Sequence, residues 1–503
     1  MNTSIRWGAF GSILLTVLLL ANLTWVQGFH EEEYARNPLN SRNFIEAKKV
    51  ERGQINAGGQ ILAESTPAGD GFFTRSYPNM PYSFAPVVGY LSDRYGAAGI
   101  ESGFNADLNG ETSAKGNRFL RTSQDGRVGD SVELTLDPKT QAAAYDQLEK
   151  NGYKGAVVAL RPSTGEVLAM ASNPSYDPNS VVNEETAEKT WEQLNDAPDQ
   201  PLLNHATQDQ LPPGSIFKII TTAAGLKNGY TPDSKLTGEA AITLPGTEVQ
   251  LTNYGGRPCG GSTTTLANAF ALSCNTAFVQ MATELGDGPL REASTAFGIG
   301  ENYDLGLPNA AGSLGDLEDL AAVGMSSIGQ RDVTMTALQA AVMAATVANE
   351  GRRMEPHVVS RVVNPEMKTV REIRPRQAAE ALSKEEAETI TELMFKSERN
   401  TYGYNGNSLA SKTGTAEHGE NLPPHAWYVA FDPDKDVAVA VVVKDGGGHG
   451  EGATGGQVSA PIGRTILTTA PAPKDDKQDE KTAGGAESVS YTHLRAHETD
   501  SYL

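Results

Sequence analysis

Apolar residues recur along this chain in several distinct rhythms. From Trp7 to Val26 they are almost continuous (WGAFGSILLTVLLLANLTWV), a run about as long as a bilayer core requires. From Ser131 to Asp137 they alternate (SVELTLD), as in a half-buried strand. PKTQAAAYDQLEKN then follows a helical period behind a first-turn proline. GAVVALRP and GEVLAMAS are short apolar runs joined by STG, which has the turn chemistry of a hairpin. A helix-rich middle runs to about residue 350 and ends in TALQAAVMAATVANEGRR, with Gly351 as the stop. Strand patterns return in SLASKTGTA, AWYVAFDP and DVAVAVVVK. A glycine-rich loop (Gly446 to Gly456) then leads to a last helix, APIGRTILTTA. Strands at both ends of a helical centre predict an α/β fold whose terminal strands share one antiparallel sheet.

These patterns divide the chain into a short leader (1–6), an apolar segment (7–26), a stalk with a small irregular domain (27–127), a larger domain (128–470) and a tail (471–503). Inside the small domain, QILAES and SFAPVVGYL are broken by turn residues and read as strands and loops. The Pro-, Lys- and Asp-rich tail predicts disorder. Its last stretch, SVSYTHLRAHETDSYL, resembles a translated sequencing-adapter tail and offers no functional residue.

Charge narrows the function. A formal net charge of −21 and a pI near 4.9 argue against nucleic-acid binding, which needs basic patches for the phosphates. Arg6 precedes the apolar segment and His30 to Glu33 (HEEE) follows it. The positive-inside rule therefore places the rest of the chain outside the cytoplasm on an uncleaved anchor. A cleaved signal peptide is the competing reading, but no small-x-small site follows the run. Cys259 and Cys274 are the two cysteines, and an oxidising compartment would let them bridge; otherwise they are buried thiols. The eight histidines show no metal-ligand spacing, so no metal is expected.

The candidate chemistry begins at LPPGSIFKII. Ser215 and Lys218 lie three residues apart at the start of an apolar helix, so the amine faces the hydroxyl. The bland reading is a helix cap and a snorkelling lysine. The sharper one is a nucleophile and a base that desolvation has deprived of its proton. LSCNTAF supplies Ser273 and Asn275, a hydroxyl to relay a proton and an amide to position substrate; a helix cap is the alternative. The same S-x-N pattern occurs by chance at Ser41-Arg42-Asn43. SKTGTAE supplies Lys412 and Thr413 to hold a carboxylate, Gly414 to let a substrate backbone approach, and Thr415, whose N–H could join an oxyanion hole. Each pattern alone is weak. In the order S-x-x-K, S-x-N, K-T-G they form the set used by penicillin-binding proteins and β-lactamases.

On these motifs, and on GAVVALRPSTGEVLAMASNPSYDPN and SSIGQRDVTMTALQAAVMAATVANEG, the chain resembles a class B penicillin-binding protein from about residue 40 to 470. It is most similar to the PbpA type of actinobacteria. The resemblance implies a transpeptidase domain of the penicillin-binding and serine β-lactamase-like fold: a five-stranded antiparallel sheet flanked by helices, plus an all-helical subdomain. A small pedestal of the dimerisation type and an N-terminal transmembrane helix would precede it. ERGQINAGGQILAES resembles the opening motif of that pedestal, although Ala57 and Gly58 stand where the family has Asp-Arg. Gly329-Gln330-Arg331 replaces the family's Gly-Gln-Gly.

The implied activity is D,D-transpeptidation of peptidoglycan without a cofactor. Ser215 would be the nucleophile and the β-lactam target, Lys218 the base, Ser273 the proton shuttle and Asn275 the donor clamp. Lys412 and Thr413 would bind the terminal carboxylate, and the backbone N–H groups of Ser215 and Thr415 would form the oxyanion hole. The implied partners are stem peptides ending in D-Ala-D-Ala, β-lactams and a SEDS-family glycosyltransferase. Three alternatives remain: a D,D-carboxypeptidase, a β-lactamase (Glu192 lies in a segment faintly resembling its deacylating acid), and a membrane scaffold that activates the glycosyltransferase. Glu417 and His418 are candidates for lining the cleft, while His425 and Trp427 read as sheet packing.

Overall fold

The computed structural model describes residues 3–29, 48–112, 128–419 and 421–473. The expected stalk and tail lie largely outside them. The apolar run forms one helix, Thr3–Phe29, whose stretch Arg6–Val26 is long and apolar enough to cross a membrane.

The larger domain is built on one five-stranded antiparallel sheet. Its strands run in the order Ala410–Ala416, His425–Asp432, Val437–Val443, Gly155–Leu160, Val167–Asn173. Strands from opposite ends of the sequence therefore sit side by side, as their patterns predict. The inner strands are buried at every position but Asp432 because helices cover both faces. Pro138–Lys150 and Ala460–Thr469 pack on one face. Ala337–Ala348 packs on the other and is buried throughout, which is why its apolar pattern runs all round. Caps fix where these helices begin. The Asp137 carboxylate accepts the Thr140 N–H at 2.8 Å, and Thr336 with Gln339 forms a capping box. A separate helical layer, including Lys218–Lys227, Leu266–Leu272, Asn275–Leu285, Asp287–Ala296 and Leu320–Ser327, adjoins the sheet edge formed by Ala410–Ala416.

The small domain departs from expectation in two places. SFAPVVGYL forms a helix, Pro81–Val88, that ends at Gly89. Proline opens its first turn, and burial of Phe84, Ala85, Val87 and Val88 outweighs the turn-like composition. The strand Ser131–Leu134, expected to open the larger domain, pairs in parallel with Ile55–Ala57. It lies in a six-stranded sheet with Gln60–Gly69, Phe72–Ser76, Val359–Val363 and Thr369–Glu372. The alternation in SVELTLD gives a half-buried strand without saying which sheet it joins.

Beside that sheet lies a buried ion network. Glu101, fully enclosed, accepts from Arg52 Nε at 2.7 Å and Arg75 Nε at 2.6 Å. Arg52 Nη1 also donates to Asn105 and Asn109. Burial pushes the Glu101 carboxyl upward, but the charges of Arg75 and Arg52 outweigh it and hold the group below its ordinary value. An internal ion pair thus exists although Ala57 and Gly58 replace the family's Asp-Arg.

Glu101→Gln should therefore cost the folded state about 3–5 kcal/mol, because it leaves two buried guanidinium groups undercompensated. Calorimetric unfolding checks this; a loss under about 1 kcal/mol would show that the network contributes little. Since the folded carboxyl is more acidic than the unfolded one, the Glu101 contribution is present above the ordinary Glu range, near pH 4.3, and fades as pH falls below it.

Candidate active site

The segment Leu211–Ser215 is held in place before any chemistry is considered. Leu211 exchanges two backbone hydrogen bonds with Met335, the Gly214 N–H donates to Gly329 O at 2.9 Å, and Trp427 Nε1 donates to Pro212 O at 2.8 Å. Trp427 is fully buried, in keeping with its reading as packing. Gly214 has φ +54°, and a Cβ there would lie 2.8 Å from Thr415 O. A Cβ at Gly414 would lie 2.7 Å from Pro213 O and 3.0 Å from Trp427 Cβ. The glycine of K-T-G is thus required by the protein's own turn, not only by an approaching substrate. The changed loop Gly329-Gln330-Arg331 keeps the carbonyl that anchors Gly214. Its arginine turns outward to pair with Glu318 and Asp332.

The serine does not start an α-helix directly. Gly214–Phe217 is a single 3₁₀ turn, and the α-helix begins at Lys218. In a 3₁₀ turn, residues i and i+3 eclipse one another, which sets Lys218 directly against Ser215. Lys218 Nζ lies 3.1 Å from Ser215 Oγ, 2.8 Å from Asn275 Oδ1, 2.8 Å from Ser273 O and 3.3 Å from Ser273 Oγ. Its side chain is wholly buried, with Phe278 5.4 Å away. A snorkelling lysine would be exposed. Burial, and then the charge of Lys412, push its pKa well below the ordinary lysine value.

Ser273 ends the helix Leu266–Leu272 in a left-handed conformation (φ 59°), and Asn275 opens the next helix. This reversal points both side chains at Lys218. Asn275 Nδ2 donates to Thr252 O at 2.9 Å, which fixes the amide so that its oxygen faces the lysine. A disulfide joins Cys259 to Cys274, the residue between the two, with a Cα separation of 6.1 Å.

The third motif lies on the edge strand. Lys412 Nζ donates to Ser273 Oγ at 2.8 Å and to Thr413 O at 3.0 Å, and burial lowers its pKa to about 7. Behind it, Ser411 faces the other way, toward the buried carboxylate of Glu398. Glu398 also accepts from Tyr428 at 3.1 Å and from Arg464 at 2.8 Å, so it ties the strand to the helices Lys384–Arg399 and Ala460–Thr469. No motif flags Glu398; an acid next to the last residue of the amphipathic helix Lys384–Arg399 looks like any surface residue.

The structure thus converges Ser215, Lys218, Ser273, Asn275 and Lys412, with Thr413, Gly414 and Thr415 along the adjoining strand. Glu192 does not join them. It is exposed on the helix Ala187–Asp196, which packs through Trp191 on Tyr90 and Tyr95 of the small domain. His418, His425 and Asp445 do come together at the far end of the strand, with donor atoms within 4.8 Å of one another. Their positions in the chain give no sign of it.

Similarity to known proteins agrees with this geometry. Residues 155–468 match the penicillin binding protein transpeptidase domain, and residues 52–132 match the penicillin binding protein A dimerisation domain. The peptidoglycan D,D-transpeptidase PbpA of Mycolicibacterium smegmatis is 45% identical over 490 residues, covering 93% of this chain and 99% of that one. Its namesake in Mycobacterium tuberculosis is 42% identical, also over 93% of this chain and 99% of its own length. The penicillin-binding protein A of M. tuberculosis, solved as a ceftriaxone acyl-enzyme complex, superposes with a TM-score of 0.80 at 43% identity, covering 85% of this chain and 99% of that one. Its penicillin G acyl-enzyme gives 0.78 at 44% identity, with 83% and 99% covered. This chain belongs to the penicillin-binding protein transpeptidase family.

Proposed function

We propose that this protein is a peptidoglycan D,D-transpeptidase that crosslinks stem peptides through an ester on Ser215, the same serine that β-lactams acylate. The observation that carries the reading is the wholly buried Lys218 amine, 3.1 Å from Ser215 Oγ and held by Asn275 and Ser273. A neutral amine is a base and a protonated one is not; burial favours the neutral form.

The steps follow from that state. Lys218 takes the Ser215 proton as Oγ attacks the penultimate D-Ala carbonyl carbon. Lys412 and Thr413 hold the terminal carboxylate, while the backbone N–H groups of Ser215 and Thr415 receive the developing oxyanion. Ser273, bonded to both lysines, passes a proton to the departing nitrogen, the peptide bond breaks, and D-Ala leaves. An amine of a second stem peptide then attacks the ester, a new amide forms, and Ser215 recovers its proton. The arriving carboxylate raises the proton affinity of Lys412, and the charge on Lys412 keeps Lys218 neutral. Substrate binding therefore primes the base.

The exposed, distant position of Glu192 disfavours a β-lactamase, since no deacylating acid is supplied from that helix. The apolar segment Arg6–Val26 fits a single-pass anchor that leaves the catalytic domain outside the cytoplasm. In that setting a SEDS-family glycosyltransferase would be met through the anchor and the small domain.

Three outcomes are expected. A fluorescent penicillin should label the full-length protein covalently and release slowly, and Ser215→Ala should abolish the label. Lys218→Ala should slow acylation about 10²–10⁴-fold. Absence of label on the unsubstituted protein, or rapid release, would contradict a transpeptidase.

The acylation rate at low penicillin should be bell-shaped with pH. The acid limb reports protonation of Lys218, far below the ordinary lysine range. The alkaline limb begins near 7, where Lys412 loses its proton in the free enzyme. Lys412→Arg should remove the alkaline limb, because arginine stays charged. An unchanged alkaline limb in that variant would assign it elsewhere.

Cys259 and Cys274 close a loop with a sequence separation of 15, so Cys259→Ser with Cys274→Ser should cost about 2–4 kcal/mol. It should also slow acylation, since Ser273 and Asn275 flank Cys274. Unfolding and acylation measured together check both; unchanged acylation would show that the bridge does not position the relay.

A further inference from the structure

Lys444 and Asp445 follow directly on the strand Val437–Val443 and engage different segments. Lys444 Nζ donates to Asp209 Oδ2 at 3.0 Å, and His205 Nδ1 lies 2.7 Å from the same oxygen. Asp209 stands two residues before Leu211, where the segment that turns into Ser215 begins. Burial pushes the Asp209 carboxyl upward, but His205 and then Lys444 outweigh it and hold the group below its ordinary value.

Asp445 engages the end of the K-T-G strand. Its backbone N–H donates to His425 Nδ1 at 3.2 Å, and its Oδ1 lies 3.1 Å from His418 Nε2. His425 faces Ala416 across the sheet, one residue beyond Thr415. These bonds assign the protons of both rings. A backbone N–H can only donate, so His425 Nδ1 carries no proton. A carbonyl can only accept, so His418 Nε2, 2.9 Å from Pro423 O, carries one. The two rings stack with centroids 3.9 Å apart, which seats the connection leaving the strand on His425. Burial, and then the His418 ring, push the His425 pKa down to about 4, so the acceptor persists at neutral pH. Asp445, Gly446 and Gly447 then share a left-handed backbone (φ 50°, 63° and 56°), which turns the chain once these bonds are made.

We propose that Lys444 and Asp445 are positioning residues, a two-residue clamp that sets the spacing between the Ser215 and Thr415 N–H groups. Those two donors belong to segments far apart in sequence, and both must meet one oxyanion. Close contact of Gly214 with Thr415 O limits how nearly the segments approach, but a contact of that kind does not resist separation. Trp427 tethers the nucleophile turn to the sheet from mid-strand, through Pro212 O. The clamp adds a tether at the strand's end, with Lys444 on the nucleophile side and Asp445 on the K-T-G side. A misplacement of about 1 Å can cost on the order of 10²-fold in rate, so small slack here matters. The clamp rests on the reading that Ser215 is the acylated residue.

The test follows fluorescent penicillin acylation of the full-length protein in detergent micelles over a range of penicillin concentrations. Lys444→Met removes one bond, and His425→Phe removes the other while keeping a ring to stack on His418. Each should lower the limiting acylation rate at least about tenfold and leave the half-saturating concentration within about twofold. His425→Asn, which restores an acceptor near Nδ1, should recover most of the rate. Since both bonds belong to one clamp, the double variant should be no slower than the slower single variant. In the unsubstituted protein, the Asp445 amide should exchange its hydrogen at least about a hundredfold more slowly than an exposed amide. An unchanged limiting rate in either single variant, a loss confined to half-saturation, multiplied losses in the double variant, or exchange at the exposed rate would overturn the clamp. Failure of the unsubstituted protein to label would overturn the acyl-enzyme reading, which the exchange measurement does not touch.

Discussion

Two buried lysines share one hydroxyl, and the rest of the site depends on that arrangement. Lys218 and Lys412 both lie within 3.3 Å of Ser273 Oγ, so their ammonium groups would be no more than about 6 Å apart. At an effective dielectric near 20, two positive charges at that distance repel by about 3 kcal/mol, equivalent to roughly two pKa units. Desolvation acts on both in the same direction. The cleft therefore favours one proton between two amines, and the position of each amine decides its role. The amine beside Ser215 is the base, and the one on the edge strand meets the carboxylate.

Such a cleft is costly to fold. The unfolded chain binds the Lys218 proton up to the ordinary lysine range, whereas the folded chain releases it well below that range, so this group's contribution becomes less favourable as pH falls from the alkaline range. The surrounding structure offsets the cost through backbone contacts and buried polar bonds. Gly214 and Gly414 let the nucleophile turn and the edge strand touch. Trp427 bonds to Pro212, Glu398 anchors the strand from behind through Ser411, and the Cys259–Cys274 bridge holds the relay loop. None of these contributors needs to contact substrate.

Much of this was legible in the sequence. The strands of the central sheet, the buried helix Ala337–Ala348 and the ordered trio of motifs could all be read from local pattern, because period and motif order are local properties. What escaped were decisions made by tertiary partners. Ser131–Leu134 reads equally well as a strand of either sheet; pairing with Ile55–Ala57 settles it. SFAPVVGYL looks like broken strand until burial of Phe84 and Val87 makes it a helix. Glu398 and the group His418, His425 and Asp445 are assembled from residues with no shared period, so only the fold brings them together. The S-x-N match at Ser41-Arg42-Asn43 shows the converse: a short motif means little without the elements that aim it.

The central claim, that the buried Lys218 amine is the neutral partner of the pair, is open to direct titration. Nitrogen-15 NMR of lysine-labelled protein, with the Lys218 side-chain signal assigned by its loss in Lys218→Arg, reads the protonation of that one amine. Lys218 Nζ should lose its proton well below the ordinary lysine range and, as pH rises, before Lys412 does. A Lys218 signal that stays ammonium-like up to about pH 10 would contradict it.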